Sequence, residues 1–195
     1  MRAITITVNN QFFILVLIFV ILTCSCNKMS ERVVDKTAGL NGSFEVSKNG
    51  LPVNWLMYTP NTLPDADFQI ILDKEIFKEG KQSLKFDIKR CSPTGGWKSP
   101  GFTNEFFEVG RYRGEGRYKL SFWVKNAGTE FSITAGEVAA KVGNMTTLIK
   151  EHEQIDDWQL LEYEIDVPKD RWLRMELSIL QPGTFWIDDI RIERI

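Results

Sequence analysis

Gly183-Thr184-Phe185-Trp186-Ile187-Asp188-Asp189-Ile190-Arg191-Ile192-Glu193 runs almost to the end of the chain. It reads as an apolar strand interrupted by two adjacent carboxylates. Such a pair is expensive inside a strand unless something satisfies it, and a hard cation held by oxygens is one remedy. Asn41-Gly42-Ser43-Phe44-Glu45 stands at the other end of the domain. A last strand that pairs with an opening strand closes a two-sheet sandwich. That pairing is expected to bring Glu45 close to Asp188 and Asp189.

Period-two alternation fills the sequence between these ends. Leu84, Phe86 and Ile88 share one face of their segment, and Tyr118, Leu120, Phe122 and Val124 share one face of theirs. Phe131 and Ile133 continue the pattern, followed by Leu161, Tyr163, Ile165 and Val167, then Leu173, Met175, Leu177 and Ile179. Strands that bury one face and wet the other belong to antiparallel sheets. Turn residues punctuate them at Lys48–Pro52, Lys78–Gly80, Pro93–Gly96, Pro168–Asp170 and Gln181–Gly183. The only segment open to a short helical turn is Ala139–Met145. Nine or ten strands without βαβ alternation predict an all-β fold, a two-sheet antiparallel β-sandwich of jelly-roll type.

The chain has 195 residues, 43% of them hydrophobic and 12% aromatic, which suffices for one core. Its formal net charge is −2, and it shows no basic stripe of the kind nucleic-acid binding needs. Phe12–Leu22 is an unbroken apolar run, too short to span a bilayer and of the length of a signal-peptide core. Leu22-Thr23-Cys24-Ser25-Cys26 follows. It resembles the lipobox of bacterial lipoproteins, with Ser before the Cys that becomes the new N-terminus. That resemblance implies a signal peptide over residues 1–26, acylation of Cys26 and membrane attachment at the cell envelope. Residues 27–38 then read as a polar tether and 39–195 as the folded domain. Cys91 would be left without a disulfide partner.

Several further stretches keep a familiar order: Gly50-Leu51-Pro52-Val53-Asn54-Trp55, Gly80-Lys81-Gln82-Ser83-Leu84-Lys85-Phe86, Gly116 through Lys125, Asp157-Trp158 and Phe185 through Ile190. With Asn41–Glu45 they resemble the galactose-binding-like jelly rolls, in particular the carbohydrate-binding modules found beside cellulases and xylanases. The resemblance spans nearly all of residues 40–195. It implies a structural Ca2+ between the opening and closing strands, with Glu45 and Asp188 or Asp189 as ligands. Without a metal the same acids would be hydrogen-bond acceptors at a strand edge. The resemblance also implies a carbohydrate ligand stacked on aromatic rings. Trp123 and Trp172 lie on the non-core sides of their strands, Arg174 follows Trp172 by two positions, and Trp97 lies in a Gly-Gly-Trp-Lys-Ser-Pro-Gly segment. Each of these tryptophans has a packing alternative. Trp55, Trp158 and Trp186 read as core or near-core.

Catalytic devices find little material. His152 is the only histidine and sits in a charged connector. Cys91 follows Lys89 and Arg90, two cations able to lower a thiol pKa, or else is a half-buried strand-end thiol. Glu137, an acid in a small apolar setting, is a candidate for a glycan contact, a raised-pKa acid or an edge residue. Three functions remain open: a membrane-anchored, non-catalytic carbohydrate binder, an envelope protein that contacts protein partners, and a glycoside hydrolase built on paired carboxylates.

Overall fold

A computed structural model describes residues 39–105, 115–139 and 142–195. Cys26 and the tether lie outside the described residues. The strands are β1 (Ser47–Lys48), β2 (Leu51–Pro52), β3 (Leu56–Tyr58), β4 (Asp67–Asp73), β5 (Ser83–Arg90), β6 (Gly101–Glu105), β7 (Gly116–Ala127), β8 (Phe131–Ala139), β9 (Val142–Glu151), β10 (Ile155–Val167), β11 (Trp172–Ile179) and β12 (Gly183–Arg194). A one-turn 3-10 helix, Gly96–Lys98, interrupts the β5–β6 connection.

Two five-stranded sheets carry the domain, in the orders β10-β7-β12-β5-β4 and β3-β6-β11-β8-β9. Every pairing is antiparallel. The alternation explains why they face each other. Leu120, Phe122 and Val124 of β7 and Leu84 and Phe86 of β5 are fully buried, as are Ile133 of β8 and Met175 and Leu177 of β11. Phe131 of one sheet meets Phe185 of the other with ring centroids 4.5 Å apart. The expected two-sheet sandwich is the observed one. Ala139 ends β8 and Val142–Met145 open β9, so the described part of this segment is strand and not a helical turn; residues 140 and 141 lie outside the described residues.

The opening segment departs from expectation. Residues 41–45 form no strand. Asn41 and Phe44 have φ of 59° and 56°, which a strand cannot accommodate. A main-chain bond instead ties this segment to β12, from Ile190 N–H to the Gly42 carbonyl at 3.0 Å. Asn41 is buried and its amide organises the turn. Its Nδ2 donates to the carbonyls of Val46 at 2.8 Å and Val53 at 2.9 Å, and its Oδ1 accepts from Val46 N–H at 2.9 Å. Trp55 Nε1 donates to the Asn41 carbonyl at 3.0 Å, which places Trp55 between Phe44 and Phe102. Trp55 is core, as the sequence suggests.

Candidate functional site

The acids of the closing strand part company at a β-bulge. The pairing of β12 with β7 shifts between Asp188 and Arg191, and Asp189 takes a φ of 50°. Asp188 is fully buried beneath the β4–β5 loop. Its Oδ2 accepts from the amides of Lys78 at 2.7 Å and Glu79 at 2.9 Å, and its Oδ1 from Asp189 N–H at 2.7 Å. Burial nevertheless raises its pKa to about 7, against the lowering effect of those amides, and the neighbouring Asp189 adds to the rise. Glu45 grips the same loop three residues on, its Oε1 accepting from Lys81 N–H at 2.7 Å and Gln82 N–H at 3.2 Å. Glu45 and Asp188 therefore hold one loop between them. Asp189 points elsewhere and pairs with Arg191 at 2.8 Å. Among the described residues, no cluster of three or more His, Cys, Asp or Glu side chains could hold a metal ion.

The same loop decides the fate of one sheet face. On the outer side of β10-β7-β12-β5-β4, Lys78 Nζ sits 3.9 Å from the centroid of the Trp123 ring. Trp186 is buried on this outer side, its Nε1 donating to Asp73 Oδ2 at 2.9 Å. Ion pairs cover much of the remainder, Arg117 with Glu164 and Lys119 with Glu162, each at 2.5 Å. Trp123 thus lies under a lysine on a charged face. Trp158 is half-exposed and not core. Trp158 shares the outward parity of Leu160 and Glu162 on β10 and lines a hollow with Phe77 and Lys125.

The opposite outer face is built differently. Register places Leu56, Thr103, Glu176, Thr134 and Thr147 in one row across all five strands of β3-β6-β11-β8-β9. Tyr58, Gly101, Ser178, Ser132 and Lys150 form the row on one side. On the other side Arg174 lies opposite Gly136 and Met145, and beyond it Trp172 lies opposite Val138 and Gly143. Tyr58, Trp172, Arg174 and Glu176 are all half-exposed, and Leu56 is 65% exposed. Burial raises the Tyr58 pKa to about 12, with Glu176 adding to the rise and Arg174 opposing it. Burial likewise raises Glu176, again against Arg174. These three side chains form one electrostatic group.

The 3-10 helix borders this face. Gly96 N–H donates to Ser178 Oγ at 2.9 Å, and a side chain at Gly96 would meet Glu176 Oε1 at 3.3 Å. The next residue, Trp97, is 70% exposed. It lines a pocket of about 540 Å3 with the β3–β4 loop and the end of β5.

The expected ligand residues therefore occupy three places. Trp172 and Arg174 share a face, with Trp97 at its border. Trp123 lies on the other sheet, so no single groove uses both Trp123 and Trp172. Glu137 pairs with Leu173, an inward-facing position. It is tied by Arg171 at 3.0 Å and Asn144 at 2.5 Å, and is an edge residue. Sequence reading missed Tyr58 and Glu176, because alternation alone does not reveal which strands become neighbours. Cys91 is half-buried, and burial raises its thiol pKa despite the flanking cations. His152 is exposed in the β9–β10 connector.

No protein-family model matches the sequence, and no curated protein matches it either. Solved structures do. The CBM22-1 xylan-binding domain of Paenibacillus barcinonensis Xyn10C aligns with a TM-score of 0.56 at 16% identity, over 79% of this chain and 92% of that one. The C-terminal family 22 carbohydrate binding module of Clostridium thermocellum Xyn10B aligns at 0.53 and 16% identity, over 78% and 91%. An arabinose-bound α-L-arabinofuranosidase, MgGH51, aligns at 0.53 and 17% identity, over 79% of this chain but 26% of the enzyme. The jelly-roll β-sandwich is common to all of them.

Proposed function

We propose that this chain is a non-catalytic carbohydrate-binding domain that lays a glycan across the outer face of β3-β6-β11-β8-β9. One observation carries the reading: half-exposed Tyr58 and Trp172 flank a five-strand row in which Thr103, Thr134 and Thr147 surround Glu176 and Leu56 closes one end, with Arg174 beside it. Aromatic rings supply apolar area for sugar faces, and fixed polar groups orient the hydroxyls. The shared fold supports the reading, since two of the similar structures are xylan-binding or carbohydrate-binding modules. A lipid on Cys26 and the tether over residues 27–38 would hold the domain near the envelope membrane. Affinity electrophoresis against xylans and other soluble polysaccharides is the test. Retardation by at least one polymer is expected, and unretarded migration in all of them would overturn the reading.

A second reading, protein contact, is favoured by Phe77 and Trp158, which line a hollow of about 300 Å3 at the edge of the other sheet. Capture of a membrane protein that free sugars do not displace, and that Phe77→Ser abolishes, would support it.

Calcium belongs to the same proposal. The loop-bound pair Glu45 and Asp188 fits a hard cation: both offer carboxylate oxygen, and Asp188 is buried without a counter-charge on it. A bound calcium would supply that counter-charge. Remaining oxygens would come from main-chain carbonyls. In chelator, folded Asp188 keeps a proton that the unfolded chain has already released between about pH 4 and pH 7. The raised pKa therefore makes stability fall as pH rises through that window, by roughly 4 kcal/mol at most. Melting in chelator is expected at a lower temperature at pH 8 than at pH 5. Calcium should restore several degrees at pH 8 and little at pH 5, and Asp188→Asn should lose both effects. A melting temperature indifferent to calcium at pH 8 would remove the ion.

A further inference from the structure

The pocket beside Trp97 has walls that differ in charge from the rest of the proposed glycan face. Its floor is apolar, with Leu63, Ala66 and Cys91. Its rim carries Arg90 and Lys98 against one carboxylate, Asp65. Arg90 Nε donates to the main-chain carbonyl of Asp65 at 3.1 Å, so a neutral acceptor anchors the guanidinium along the wall. Lys98 Nζ lies 5.3 Å from the centroid of the Trp97 ring. A ring stacked on this indole would have an ammonium within reach of its substituents. Glu176 lies on the other side of the 3-10 turn, against Gly96, and Arg174 offsets it. The volume, about 540 Å3, falls in the range of small-ligand sites.

We infer that this pocket takes a sugar bearing a carboxylate, a uronic-acid branch or end of the glycan, with its ring on Trp97 and its charge between Lys98 and Arg90. The inference rests on the carbohydrate-binding reading and narrows its ligand class to acidic glycans. A cation pair at a partly enclosed aromatic wall favours a carboxylate by charge-assisted hydrogen bonds, and arginine can engage it with two parallel donors. A neutral sugar gains only the stacking.

Calorimetry with glucuronic-acid-substituted xylan, and with the same polymer after reduction of its carboxyl groups to alcohols, tests the idea. The substituted polymer should bind roughly tenfold tighter, and the advantage should shrink at high salt. The double variant Arg90→Gln, Lys98→Gln should bind both polymers alike, at the wild-type affinity for the reduced one. Both side chains are exposed, so the variant should fold, and an unchanged melting curve would verify it. Equal wild-type affinity for the two polymers would overturn the acidic-sugar inference and leave glycan binding standing. Failure to bind either polymer or any neutral chain would overturn both.

Discussion

Gly42→Ala is expected to lower the melting temperature by at least about 10 °C. A Cβ at residue 42 would sit 1.9 Å from the Ile190 carbonyl oxygen and 2.8 Å from its carbon. Both are main-chain atoms of β12, and no rotamer relieves the contact. The seam has to open, and with it goes the Ile190 N–H bond to Gly42. The buried Asn41 network on one side and the Glu45 grip on the β4–β5 loop on the other are then strained. A loss of roughly 3–5 kcal/mol is a large share of the 5–15 kcal/mol that typically holds a domain. Gly50→Ala is the control. Gly50 has φ of 79° but nothing within 4 Å of an added Cβ, so only the left-handed backbone is penalised, by about 1 kcal/mol. Thermal melts of the two variants side by side should separate widely. Similar melting temperatures would mean that the opening segment does not press on β12.

That seam shows what was legible in the sequence. Alternation alone assigned the buried faces of β5, β7, β8 and β11, because each such strand turns one face to the core regardless of its neighbours. The pairing of Asn41–Glu45 with Asp188 and Asp189 pointed to a junction, and there Glu45 and Asp188 bond separate amides of one loop. Two things were hidden. Positive φ at Asn41 and Phe44 turns the opening segment into a knot of side-chain hydrogen bonds, where a strand was expected. The bulge at Asp188 and Asp189 then sends adjacent acids to different partners. Neither is a matter of hydrophobic period. Trp158 is a different case: counting by twos from Leu161 already places it outward with Leu160 and Glu162.

The site was less legible because alternation says inward or outward but not which sheet. Trp123 and Trp172 look equivalent along the chain, each outward on a strand with buried neighbours. Strand order sends β7 to one sheet and β11 to the other. A loop 40 or more positions earlier in sequence then covers Trp123 with Lys78. Trp172 acquires Arg174, Glu176 and, from β3, Tyr58 as companions on its face. Tyr58 reaches that face through a three-residue strand, too short to announce itself by period.

This asymmetry yields the sharpest functional expectation. Trp172→Ala and Arg174→Ala should each weaken glycan binding by roughly tenfold or more, whereas Trp123→Ala should leave it unchanged. Truncating a stacked indole removes apolar contact worth about 1–2 kcal/mol, and a charged hydrogen bond is worth about 1.5–3 kcal/mol. Each 1.4 kcal/mol is about tenfold in affinity. Trp123 packs under Lys78 and beside Leu160 on the other sheet, so its loss affects the β4–β5 loop and not the opposite face. Stability separates binding from folding here. Arg174 and Trp172 are half-exposed, so their melting temperatures should stay near the parent value while affinity falls. Tyr58→Phe keeps the ring and removes the hydroxyl. It is expected to cost less than Trp172→Ala, because the ring and not the phenol provides most of the contact area. Binding that survives Trp172→Ala and is lost with Trp123→Ala would move the glycan to the other sheet. That result would leave the fold untouched and would reassign the open face to another task.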